Sequence, residues 1–122
     1  MRAVVVVASV AALFLTVCPE SAASGSWGAV AYDGQGNAGS SRNYPDPSSA
    51  KGAAEHSCGA RCGAKPFRHC GAVAFTRQSN RGRHGYGVAA GRTGSEAREK
   101  ARAACESASL KACYVKLSEC NG

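Results

Sequence analysis

After an apolar opening, the chain places its hydrophobic residues in short bursts separated by glycine and polar stretches. The bursts Gly28 to Tyr32, Gly71 to Thr76 and Cys113 to Leu117 are short and partly β-branched, and they predict strands. Between them, Ala50, Ala53 and Ala54, and then Ala97, Ala101, Ala104 and Cys105, recur at helical spacing. They predict helices over roughly Pro47 to Cys58 and Ser95 to Ser107, each with a narrow face of small residues that lets it lie close on a sheet. Start signals agree with both. Asp46-Pro47-Ser48 sets a capping side chain ahead of a first-turn proline, and Thr93-Gly94-Ser95-Glu96 has the spacing of a capping box.

The pattern occurs twice. Trp27-Gly-Ala-Val-Ala-Tyr32 returns as Cys70-Gly-Ala-Val-Ala-Phe75. Each copy leads through a glycine-rich turn to a second stretch, Gly39 to Tyr44 or Gly85 to Gly91, then to a helix and a closing stretch ending in cysteine. The expected fold class is α+β: two tandem strand-strand-helix-strand units, about 27–69 and 70–120, in a single domain spanning 24–122. Because each unit is too small to bury its own apolar face, the two are expected to share one sheet.

The first residues stand apart. Met1-Arg2 followed by an apolar run from Ala3 to Val17, broken by Ser9 and Thr16, reads as a signal peptide over 1–23 with cleavage after Ala23. The run stops at Cys18-Pro19, short of the length of about 18 or more apolar residues that a spanning helix needs. Lipidation at Cys18 is disfavoured by Val17 before it and Pro19 after it. Secretion or a periplasmic location follows, with no membrane-spanning segment after cleavage.

Removal of the leader leaves Cys58, Cys62, Cys70, Cys105, Cys113 and Cys120, an even set that reads as a disulfide framework in an exported chain. Register between the copies selects the pairing. Both units place two cysteines at the helix-to-strand corner, so Cys58 is expected to bond Cys62, and Cys105 to bond Cys113. The remaining Cys70 and Cys120 then pair, and this bridge is expected to run across the units.

The residues quoted, together with Asn43-Tyr44-Pro45 before the first helix and the closing Cys120-Asn121, resemble the domain of unknown function 4189 family, small exported bacterial proteins. The resemblance spans nearly all of the mature chain. It implies export and the cysteine framework, and it brings no catalytic residues to carry over. The last strand, Tyr114 to Glu119, departs from the family's aromatic-rich ending.

Charge changes the picture most. Of a formal net charge of +7, all falls between Glu55 and Glu96, a window with no acidic residue that holds Arg61, Lys65, Arg68, Arg77, Arg81, Arg83 and Arg92. His56, His69 and His84 lie there too. Such asymmetry is an argument about partners. Its sharpest point, Gln78 to Gly85, is the expected tip of a β-hairpin. Arg77, Arg81, Arg83, His84 and Tyr86 are the candidate binding residues, since guanidinium groups on a glycine-flexed loop suit phosphate, sulfate or carboxylate. Anionic lipid headgroups, acidic glycans or an acidic protein are the expected partners, with nucleic acid ranked behind them. The competing reading is a solvated, charged turn.

Other motifs lose on context. Gly34-Gln-Gly36-Asn-Ala-Gly39 has dinucleotide-fingerprint spacing but no helix follows it, so a hairpin turn is expected. Cys58, Cys62, His69 and Cys70 lack the spacing of a standard zinc module, and the export context favours disulfides over a metal. No nucleophile elbow or Cys-His arrangement with a free thiol is visible, so no catalytic residue, no metal and no cofactor is assigned and the protein is not expected to be an enzyme. Trp27, Tyr32, Tyr44, Phe67, Phe75 and Tyr114 are expected in the core, with Tyr86 the aromatic left to face a ligand. The expected function is a non-enzymatic exported binding protein acting at the envelope or on a host through its basic hairpin. The alternative is a proteinaceous inhibitor or immunity-type factor that plugs another protein's cleft.

Overall fold

Both helices begin where their caps predict. Asp46 accepts from the Ser49 amide at 2.7 Å and opens α1 (Pro47–Cys58), and Thr93 accepts from the Glu96 amide at 3.1 Å and opens α2 (Gly94–Ser109). The second helix runs past Ser107 and stops at Leu110, which turns left-handed and donates its amide to the Glu106 carbonyl at 2.8 Å. Six strands complete this computed structural model, which describes residues 25–122: β1 (Trp27–Tyr32), β2 (Ala38–Tyr44), β3 (Gly63–Phe67), β4 (Cys70–Thr76), β5 (Tyr86–Gly91) and β6 (Cys113–Cys120). The expected leader over 1–23 lies outside the described residues. No helix among those described is long and apolar enough to cross a membrane.

The fold is α+β, with two β-β-α-β units, but the units do not share one sheet. Each forms its own antiparallel sheet, in strand order β2-β1-β3 and β5-β4-β6. The cause lies in the repeated Gly-Ala-Val-Ala. A single sheet with helices on one side would leave its other face wet, yet Ala29, Val30 and Ala31, and Ala72, Val73 and Ala74, are all buried. Ala29 and Ala31 pack with Ala50 and Ala54 of α1, and Ala72 and Ala74 pack with Ala97, Ala101 and Cys105 of α2. The alternate residues turn the other way. There β1 lies against β4, β2 against β6, and β3 against β5, so the sheets stack face to face between two outer helices.

Glycine sets how closely each helix sits. A Cβ at Gly39 would come within 2.6 Å of the Ala54 carbonyl oxygen, and one at Gly87 would strike the Ala101 carbonyl and the Cys105 amide. These are equivalent positions, since Gly39 pairs with Ala31 and Gly87 with Ala74. Pro66 sits in edge strand β3, where the missing N–H costs least.

The three disulfides are Cys58–Cys62, Cys105–Cys113 and Cys70–Cys120, closing separations of 4, 8 and 50 residues. One expectation about them needs correction. Cys70 opens β4 and Cys120 closes β6, directly opposite one another, so this bridge locks the second unit and does not join the two. Beyond the chain that runs from β3 into β4, the units are joined by non-covalent means. Asn121 donates to the carbonyls of Ser26 and Arg68 at 2.8 and 2.6 Å and accepts from the Asn43 amide at 2.9 Å.

Candidate functional site

Antiparallel pairing sends four connections to one end of the molecule. Tyr32 at the end of β1 pairs with Gly63 at the start of β3, and Thr76 at the end of β4 pairs with Cys113 at the start of β6. That pole therefore carries the 33–37 turn, the Cys58–Cys62 corner, the 77–85 hairpin loop and the corner between α2 and β6. Contacts between units hold these together. The His84 amide donates to the Gly34 carbonyl at 2.8 Å, and the Tyr32 and Tyr86 rings lie 4.8 Å apart.

The hairpin loop has a defined shape. Asn80 and Arg83 exchange backbone hydrogen bonds at 2.9 and 3.0 Å, and Arg81 and Gly82 between them both have positive φ, 54° and 76°. This is the primed turn that matches the twist of a hairpin, and it throws the Arg81 side chain to the apex. Arg77, Arg81 and Arg83 are exposed. Arg77 lies 5.9 Å from the Tyr114 ring and donates its amide to Ala112, which fixes the loop to the α2–β6 corner.

His84 departs from the other candidate residues. Its Nδ1 donates to the Thr76 carbonyl at 2.9 Å, since a carbonyl only accepts, and its ring is edge-on to Phe75 at 6.2 Å. Half-buried and facing Gly36, it braces the hairpin against the first unit. Tyr86 keeps 44 % of its surface exposed. Tyr32 beneath it is partly buried, and burial followed by the neighbouring Tyr86 phenol pushes its pKa above the usual tyrosine range.

Two cations absent from the sequence-derived set belong to the same pole. Arg61, in the Cys58–Cys62 corner, lines a cleft of ≈180 Å³ with Asp33, Gly34, Gln35 and Arg83. Lys111, in the Cys105–Cys113 corner, lines another with Arg77, Gln78 and Ala112. The repeat register aligns the two cysteine corners with each other, and it is the strand pairing that sets them beside the hairpin tip. Among the described residues, neither side-chain ion pair involves a cation of this pole: Arg42 pairs with Glu119 and Lys100 with Glu96.

The carboxylate set among these cations is already engaged. Asp33 accepts from the Gln35 and Asn37 amides, both at 2.9 Å, and from the Asn37 side chain at 2.8 Å. Partial desolvation raises its pKa, but those hydrogen bonds together outweigh it and hold the carboxyl below the ordinary aspartate range. Gly36 in the same segment has φ of 88°, so the glycine-rich stretch is a hairpin turn. Cys58, Cys62 and Cys70, weighed above as metal donors beside His69, are held in disulfides.

The opposite pole is a different surface. A cleft of ≈560 Å³ there is lined by Asn43, Arg68, His69 and Asn121, among others. Its guanidinium is occupied, because Arg68 stacks 4.5 Å from the Trp27 ring. Its amides are largely taken up by the Asn43–Asn121 clasp.

No curated protein and no solved structure matches the chain. A family does match, over residues 27–120, a span covering every strand and helix described above; the chain belongs to that family, the domain of unknown function DUF4189.

Proposed function

We infer that the protein is an exported, non-enzymatic binding module that engages an anionic partner through the basic pole. The observation that carries this reading is the convergence of Arg61, Arg77, Arg81, Arg83 and Lys111, all exposed, on one end of the molecule where the nearby carboxylate is held in a turn. Cations merely keeping a surface soluble are dispersed among acids. Here three separate connections, brought together by antiparallel pairing, deliver these cations, and the fourth carries Asp33, whose carboxylate its own turn engages. Three disulfides fit an oxidising, extracytoplasmic setting, and two of them, Cys58–Cys62 and Cys105–Cys113, hold the corners that present Arg61 and Lys111.

The test compares the mature protein with Arg81→Ala/Arg83→Ala for retention on an immobilised acidic polysaccharide across a salt series. Wild type is expected to bind more than about ten-fold more tightly at low salt, with the difference vanishing as salt screens the charges. Equal retention at every salt concentration would reduce the pole to a solubility feature. A stoichiometric protein complex that survives high salt would favour the inhibitor reading instead.

A further inference from the structure

The basic pole also holds exposed apolar surface. Among the described residues, two large hydrophobic side chains are exposed, Leu110 at 89 % and Tyr86 at 44 %, and both lie at this end. Leu110 is the more unusual. It occupies the left-handed position that ends α2, with φ 57° and ψ 27°, a conformation that favours glycine and penalises a side chain. A strained position that nevertheless carries a bulky, solvent-facing aliphatic group points to a use for that group.

Its surroundings specify the use. Lys111 follows Leu110 directly, and the next residue, Ala112, accepts the Arg77 amide at 3.0 Å, so Arg77 and the hairpin bearing Arg81 and Arg83 stand beside it. We propose that the anionic partner of this pole is a bilayer surface, with Leu110 entering the interface, Tyr86 at headgroup level, and Arg77, Arg81, Arg83 and Lys111 against lipid phosphates. This rests on the binding reading above and specifies its ligand. Leu110 protrudes into solvent from the corner between α2 and β6. An acidic polysaccharide or nucleic acid would satisfy the arginines but would give a protruding aliphatic side chain nothing to bury against. A bilayer takes both, and tyrosine suits the boundary between headgroups and acyl chains.

The magnitudes are those of a reversible peripheral contact. Each cation near an anionic membrane is worth about five-fold in binding, and burial of one leucine about ten-fold. The experiment measures co-flotation of the mature protein with vesicles of phosphatidylcholine alone or with phosphatidylglycerol added, alongside retention on immobilised heparin. Three proteins are compared: wild type, Leu110→Gly and Arg81→Ala/Arg83→Ala. Glycine at 110 relieves the left-handed strain, so that variant keeps the fold.

Wild type is expected to float with the anionic vesicles and not with the neutral ones. Leu110→Gly is expected to lose about ten-fold on vesicles while binding heparin as wild type does. The arginine variant is expected to lose both. Wild type that binds heparin but no vesicle, or Leu110→Gly that floats as well as wild type, would overturn the membrane proposal and leave the anionic-partner reading standing. An arginine variant unchanged on both ligands would overturn the two together.

Discussion

The two β-β-α-β units share a backbone plan and differ in what closes it. In the first, Phe67 of β3 lies opposite Gly28, and its ring packs on Gly28 and also on Gly71 of the other sheet. The corresponding place in the second unit, opposite Gly71 on β6, is Glu119. Its carboxylate accepts from Ser40 at 3.0 Å and approaches Arg42 at 3.9 Å, both on β2 of the first unit. One seam between the sheets is therefore filled by a ring and the other by a polar link. A repeated fold need not repeat its interface: the stacking sets equivalent strands at its two edges, β2 with β6 and β5 with β3, and the residues at the equivalent places, Phe67 and Glu119, decide what fills each.

The largest expected effect comes from breaking the apolar seam. Phe67 is 2 % exposed, and Phe67→Ala leaves a cavity that reaches both sheets, at a cost of about 3 to 5 kcal/mol. Glu119→Gln keeps the shape and one hydrogen bond of a partly exposed group, and is expected to cost less than about 1 kcal/mol. Urea unfolding of the two variants measures the difference. Comparable losses would mean that the seams bear equally on stability.

The same contrast extends to the ends of these strands. Where the second unit bonds Cys70 to Cys120, the first places Trp27, with Arg68 stacked on it at 4.5 Å. A bridge closing 50 residues restricts the unfolded chain by about 4 kcal/mol, whereas an exposed cation–π contact contributes about 0.5 to 1 kcal/mol. Cys70→Ala/Cys120→Ala is therefore expected to lower stability several-fold more than Arg68→Ala. The measurement is the midpoint of thermal unfolding without reductant. A smaller loss from the cysteine pair would show that residual structure already restricts the unfolded chain between Cys70 and Cys120.

Most of the plan was legible because the second copy acts as a ruler for the first. Aligning Trp27 with Cys70 gave five strands, both helices and the three cysteine pairs, while the first unit's closing strand, expected to end in cysteine, ends at Phe67. The single-sheet expectation rested on the size of each unit and failed because the apolar run itself called for a second covered face. A strand wetted on one face would show a polar residue at every second place, and Gly28-Ala-Val-Ala31 shows none. Arg61, Leu110 and Lys111 lie in corners without periodicity, where sequence marks a turn but not which side chains it gathers. Asn43 and Asn121 shared in the family resemblance but gave no sign of the clasp, since an asparagine that joins two units through backbone groups looks like any other. His84 read as a ligand-facing residue because its carbonyl partner, Thr76, lies in a neighbouring strand and offers no side-chain signature.

The smallest expected effect separates the two hairpin turns. The turn after β4 is closed by backbone bonds between Asn80 and Arg83, which carry no titrating group, whereas the turn after β1 is built on the Asp33 carboxylate. The folded-state pKa of Asp33 lies below its unfolded value, so its contribution is complete above about pH 4 and fades as the pH falls through the folded value. Protonation removes the charge that the Gln35 and Asn37 donors satisfy. Acid is therefore expected to lower the protection of the Gln35 and Asn37 amides, measured against the intrinsic exchange rate at each pH, and to shift their resonances while leaving the protection of Asn80 and Arg83 in place. Asp33→Asn should produce the same loosening at neutral pH and abolish the acid response. If both turns moved together, the His84 amide's bond to the Gly34 carbonyl would be coupling them, and the basic pole would respond to acid as one body.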